Sequence, residues 1–379
     1  MPSRFRLFLW LLILIICHPA QATIELRLQE WGYLPDGYQQ RFAQFAKERG
    51  VDVDLLVIPR LITDFSSVYM ALEQDEADVT MPTSYFFGAH DDKLVGQLLP
   101  IDRTQLSRYR YLLPGYKKTR FDQRGDDKYS IPSTVAIFAT AFDGSTREAP
   151  DSWGVFFRPQ STEQFSVFCD QFEPFVMSTL IGMGEQPQAF KNGEAFRNPE
   201  LEKELLEALT KRLRLSRGFW FNQEHSCEQL KLQSLATTWG FELQGCSESN
   251  GQRWKLATNR EGMLFAMDSY ALSKRLANRP EKLAAAYLLI DFLLSKDEQQ
   301  RLLQGVPSIQ GVVRDIVRNF SPAELDMLPV ELLPMFDERL LIPVLDDAIS
   351  LRYKALLSEA LEASGKVTMA ESCPWDLKQ

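Results

Sequence analysis

The order of short segments near the N-terminus restricts the fold more than any other feature of this 379-residue chain. Ile24-Glu25-Leu26-Arg27-Leu28 alternates with the period of a strand, and Asp36 then opens a stretch from Tyr38 to Arg49. Within it Phe42, Phe45 and Ala46 recur at helical spacing before Gly50. Val51 to Ile58 reads as a second strand. Asp64-Phe65-Ser66-Ser67 starts a helix through Leu72, and Ala77 to Met81 is another short strand, stopped by Pro82. Strands joined through helices run parallel, so the chain is expected to be α/β, with a mixed, mainly parallel sheet flanked by helices.

The first residues read as an export signal. Arg4 and Arg6 form a basic start, Leu7 to Cys17 is apolar without interruption, and Ala20-Gln21-Ala22 supplies a small-x-small cleavage site, which makes residues 1–22 a signal peptide and Thr23 the first mature residue. The apolar run is short of the roughly 20 residues a spanning helix needs. Lipidation at Cys17 is the rival reading, and the bulky Leu14-Ile15-Ile16 before it speaks against it. Removing residues 1–22 takes away two arginines and no acid, so the net charge of −9 becomes −11. So acidic a surface repels nucleic acid and anionic membranes and favours cationic ligands; nucleic acid is therefore not an expected partner.

Export to an oxidising periplasm gives the four mature cysteines, Cys169, Cys227, Cys246 and Cys373, a reason to pair. Cys227 and Cys246 are the disulfide candidates, since both lie in polar, turn-rich surroundings and close a short loop; a zinc site is the alternative for them. Whether Cys169 pairs with Cys373 stays open.

About 357 mature residues exceed a single core and are expected to form two lobes. After Tyr129-Ser130-Ile131-Pro132 an apolar run, Val135 to Phe142, leads into the turn-rich Asp143-Gly144-Ser145, where the chain is expected to cross between lobes. The second lobe is expected to hold a helix from Glu200 to Leu213 and a strand around Leu230 to Trp239, and a helix from Pro280 to Leu303 returns to the first. Residues 23–138 and 265–318 are thus assigned to the first lobe and 139–264 to the second. Residues 319–379 are expected to pack on both as helices interrupted by Pro329, Pro334 and Pro343.

Several short segments, in order along residues 24–312, resemble the periplasmic binding proteins for spermidine and putrescine. They are Trp31-Gly32-Tyr33-Leu34-Pro35, Ala77 to Tyr85 with its Pro82-Thr83-Ser84-Tyr85 ending, Leu99-Pro100-Ile101-Asp102, Tyr129 to Pro132, Pro150-Asp151-Ser152-Trp153, and Met267-Asp268-Ser269 followed by the helical Ala284 to Leu294. The resemblance implies a type II two-lobed periplasmic binding protein fold with the ligand cleft between lobes. It also implies a monomer that captures a polyamine and delivers it to an inner-membrane ABC permease. A sensor that regulates a membrane signalling protein, or a two-lobed receptor for a different solute, are the alternatives.

Chemistry supports a cation site. A polyamine needs separated carboxylates for its charges and aromatic faces for its methylene stem. The resemblance makes Asp170 and Glu173 a pair for one ammonium end; a helical capping box is the structural alternative. Asp268 interrupts the apolar run Met263 to Met267, where a lone acid is costly without a cationic partner or hydrogen bonds. Trp31, Tyr33, Tyr85 and Trp239, all at predicted strand ends, are candidate walls, with Thr83 and Ser84 adding hydroxyls. Ala266 and Val306 stand where the family carries aromatics, so two walls are missing. Catalysis is not expected: the mature chain has only His90 and His225, no nucleophile elbow, no phosphate loop, no metal spacing and no cofactor motif, and Cys169 beside Asp170 lacks a histidine.

Overall fold

A computed structural model describes residues 23–88, 92–158, 161–220, 226–305, 309–314, 316, 337–371, 373 and 375. The signal peptide, Cys17, His90, His225, Val306, Pro329 and Pro334 lie outside the described residues.

The N-terminal reading corresponds to strands β1 (Ile24–Leu28), β2 (Val53–Val57) and β3 (Val79–Thr80), with helices α1 (Tyr38–Lys47) and α2 (Phe65–Glu73) between them. β1 pairs in parallel with β2 and with β3. α2 starts where Asp64 and Ser67 form a capping box, the Ser67 amide donating to Asp64 Oδ1 at 2.7 Å and the Asp64 amide donating to Ser67 Oγ at 3.2 Å.

Two long strands form the middle of the molecule. β4 (Ile131–Asp143) is buried along all 13 residues and spans roughly 40 Å at strand rise. It is longer than its apolar centre predicts, because Ile131, Pro132 and Thr134 ahead of that centre are also buried and paired with β8, and the buried Ser133 between them donates its hydroxyl to the Asp268 carbonyl at 2.9 Å. It precedes β5 (Phe165–Phe168), helices α3 (Phe172–Met183) and α4 (Pro199–Leu215), and strands β6 (Ser216–Trp220) and β7 (Leu235–Thr238). β8 (Leu264–Ser273) is the second long strand, also buried throughout, followed by α5 (Pro280–Leu293) and α6 (Lys296–Gly305), β9 (Ile309–Gly311) and α7 (Asp347–Ser364).

The sheet runs in the order β2-β1-β3-β8-β4-β7-β5-β6. Three parallel strands stand at each end, and β8 and β4 join them as an antiparallel pair in the middle. β4 faces β8 up to Phe138 opposite Leu264 and turns to β7 from Ala139 onward. One strand therefore serves both halves. No helix among the described residues is long and apolar enough to cross a membrane.

Two segments depart from the sequence reading. The region expected as a strand from Leu230 to Trp239 begins in a helix, Ser226–Lys231, with only Leu235–Thr238 extended. Glu228, Gln229 and Lys231 are good helix formers, whereas β-branched Thr237 and Thr238 mark the strand. The single helix expected over Pro280 to Leu303 is two, because Ser295 breaks it by accepting the Glu298 amide at 3.3 Å and starting α6. Both cysteine pairs are joined: Cys227 to Cys246, with Cα atoms 4.9 Å apart, and Cys169 to Cys373, with Cα atoms 5.5 Å apart. Zinc ligation by the first pair and nucleophilic use of Cys169 are thereby replaced by disulfides.

Candidate functional site

Two aromatic-glycine-aromatic turns face each other across the cleft. Trp31-Gly32-Tyr33 follows β1 and Trp239-Gly240-Phe241 follows β7. Each glycine takes the left-handed conformation, φ 86° and 80°, which lets the chain reverse at a strand end and present rings on both sides of the turn. Tyr33 and Phe241 stack with centroids 6.4 Å apart and planes 22° off parallel. Gln171 Nε2 donates to the Tyr85 hydroxyl, a second link between the halves.

These turns bound a cavity of about 880 Å³ whose wall includes Trp31, Tyr33, Thr83, Tyr85, Asp170, Glu173, Trp239 and Asp268. Eight of the nine residues singled out from sequence thus come together. Ser84 does not line the cavity: it is buried behind the wall, where its hydroxyl accepts the Met267 amide at 3.2 Å. The isolated antiparallel bridge between Thr83 and Asp268 brings Ser84 beside Met267, where a short hydroxyl reaches the backbone amide.

The carboxylates are the uncommon part of the wall. Asp268 is 5 % exposed within β8, not a strand-end acid in solvent, and accepts the Tyr33 hydroxyl at 2.6 Å; Tyr33 also bonds Thr134 Oγ1 at 3.0 Å. Burial pushes the Asp268 pKa up to about 6, against the hydrogen bond from Tyr33. Asp170 takes the indole N–H of Trp239 at 2.8 Å on one oxygen, while its other oxygen, Oδ1, is buried without a hydrogen-bond partner. Its pKa is pushed up to about 7 by burial. No capping box forms here: α3 begins at Phe172, its cap is Gln171 without a side-chain bond, and Glu173 stands in the first turn. Burial pushes Glu173 up to about 7 as well, opposed by the charge of Lys354.

Several wall residues had not been singled out. Gln171, whose Oε1 is buried without a partner, sits between the two acids, and Phe241 repeats the pattern of residues 31–33. Lys354 of α7 and Trp375 arrive from the C-terminal segment, which enters the wall at Pro343 after the Ile342 amide donates to the Phe265 carbonyl at 2.9 Å. Ala266 lines the cavity as a small residue, consistent with a wall lacking an aromatic there. Trp31 is fixed by donating to the Met81 carbonyl at 2.8 Å, and Trp239 packs edge-on against Phe138 at 5.2 Å, so both rings serve packing as well as the wall.

No protein-family model matches the sequence, and no curated protein matches it. Solved structures do share its fold. The spermidine/putrescine ABC transporter substrate-binding protein of Streptococcus pneumoniae superposes with a TM-score of 0.72 at 16 % identity, over 90 % of this chain and 100 % of that one. A putative spermidine/putrescine ABC transporter protein of Listeria monocytogenes gives 0.62 at 17 % identity, over 89 % and 99 %. The MotA binding protein of A. tumefaciens B6, in complex with glucopine, gives 0.55 at 14 % identity, over 91 % and 98 %. The chain has the type II two-lobed periplasmic binding protein fold, a mixed α/β sheet with helices in each lobe and the cavity between lobes.

Proposed function

We propose that the chain is a solute-binding protein, not an enzyme, that captures a small organic amine in the inter-lobe cleft and delivers it to an inner-membrane ABC permease. The observation that carries this reading is a set of buried acceptors, Asp170 Oδ1, Gln171 Oε1 and the Asp268 carboxylate, in one aromatic-walled cavity with no lysine or arginine in ion-pair contact with Asp170 or Asp268 among the described residues. Such oxygens call for a charged N–H donor, and aromatic faces add about 0.5 to 2 kcal/mol of cation-π attraction per contact. An anion receptor would line its cleft mainly with cations, whereas Lys354, beside Glu173, is the one lysine or arginine among the described wall residues. In this reading residues 1–22 direct export to the periplasm, residues 23–138 with 265–318 form one lobe, residues 139–264 form the other, and β4 and β8 carry the hinge. Polyamines such as spermidine and putrescine are the first ligands to test.

A thermal-shift panel of polyamines, amino acids, sugars and oxyanions tests the class. Amines at 100 times their dissociation constant are expected to add about 2.7 kcal/mol of stability. A shift given by sugars or oxyanions alone, with no amine active, removes the assignment.

A further inference from the structure

The C-terminal segment adds a cation and an indole N–H to the cleft, beside an acid of its own. On α7, Asp347, Ser350 and Lys354 recur at helical spacing along the face that borders the cavity. The Lys354 ammonium stands 5.9 Å from the centre of the Phe172 ring, the first residue of the helix that carries Glu173. Trp375 also borders the cavity, is 2 % exposed, and packs on Phe175 and Phe219 at 5.5 and 5.8 Å. Its indole N–H is buried without an acceptor. The disulfide from Cys169 to Cys373 holds this tryptophan next to the strand end that bears Asp170.

Unanswered donors and unanswered acceptors therefore occur in the same cavity wall. Asp170 Oδ1 and Gln171 Oε1 lack donors, whereas Trp375 Nε1 lacks an acceptor and the Lys354 cation accompanies Glu173. The first turn of α3, whose N-cap side chain makes no cap bond, adds its positive dipole end to the same wall. A plain polyamine offers N–H donors at every polar position and leaves the indole N–H unanswered.

We infer that the ligand carries one ammonium, taken by the Asp170 and Asp268 side of the cleft, and an acceptor group, a carboxylate or its like, taken by Trp375 and Lys354. This rests on the amine reading and narrows it from polyamines to amines with an acidic or acceptor end. Trp375 and Lys354 are then specificity-determining residues supplied from outside the two lobes.

Calorimetric titration of the full chain, disulfides intact, with 5-aminopentanoate and with cadaverine tests this, since the two share chain length and differ at one end. The amino acid is expected to bind about tenfold tighter or better, and Trp375→Phe, which keeps the ring and removes the N–H, is expected to erase about tenfold of that preference with no change for cadaverine. Lys354→Met is expected to act in the same direction. The comparison of ligands on the unaltered protein stands even if a variant fails to fold. Equal binding of the two, or preference for cadaverine, overturns the inference and leaves the amine reading standing. Binding of neither, with sugars or oxyanions active, overturns both.

Discussion

Asp78 and Asp268 are both buried, 1 % and 5 % exposed, yet their pKa values are shifted in opposite directions. Burial alone raises the pKa of each. At Asp78 that effect is outweighed: the Arg27 guanidinium donates to both carboxylate oxygens at 3.1 Å, the Arg27 amide adds a bond at 2.9 Å, and Lys282 lies 3.3 Å away, so the pKa ends below the usual range. At Asp268 the partners are hydroxyls, and the pKa ends at about 6. The difference teaches that burial alone does not leave a carboxylate's charge unanswered; burial without a cation from the chain itself does. Asp170, bonded by the Trp239 indole and nothing charged, belongs with Asp268. Glu173 stands between the two types, because Lys354 accompanies it.

The largest effect that would break this comparison is on folding. Asp78→Ala strands cations on a buried contact and is expected to lower stability by about 3 kcal/mol in a denaturant titration. Asp268→Asn removes an unanswered charge, so at pH 8 its stability should equal or exceed that of the unaltered chain, while amine affinity falls about a hundredfold. A loss of stability of similar size in both variants would show that the two aspartates are equivalent.

A smaller effect sharpens the same contrast through pH. Asp170 and Glu173 at about 7 and Asp268 at about 6 lie above their unfolded values of about 3.9 for Asp and 4.3 for Glu. Each group binds its proton more tightly in the folded chain. Their contribution to ligand-free stability is therefore complete below about pH 4 and is lost as pH rises through 6 to 7. Melting curves should show the unaltered chain losing stability relative to Asp268→Asn between pH 5 and 8, while amine affinity climbs about tenfold or more over the same window. A flat difference would mean that Asp268 has its charge answered already. The smallest expected effect belongs to Ser84→Ala: about 1 kcal/mol of stability for the orphaned Met267 amide, with affinity unchanged in titration.

How much of this could be read from residues depends on range. Asp268 was legible because an acid inside an apolar strand has few bland explanations, and Trp31-Gly32-Tyr33 because a glycine between rings after a strand signals an exposed turn. The same signal at Trp239-Gly240-Phe241 pointed to Phe241 and went unread. Ser84 was misplaced because a hydroxyl after a proline suits a wall and a backbone peg equally well; only packing against Met267 separates them. The helix break at Ser295 was local, yet a continuous apolar periodicity masked its cap.

The sequence by itself determined the N-terminal strand and helix order, the parallel unit that β1 to β3 form, and the turn that carries Trp31 and Tyr33, since all of these follow from periodicity, caps and backbone freedom within a few residues. Only the tertiary structure decided which acids meet a cation and which do not, and that Lys354 and Trp375 join the wall. Those outcomes depend on contacts such as Cys169 with Cys373, 204 positions apart, and no local pattern records which distant side chains a folded core will bring together.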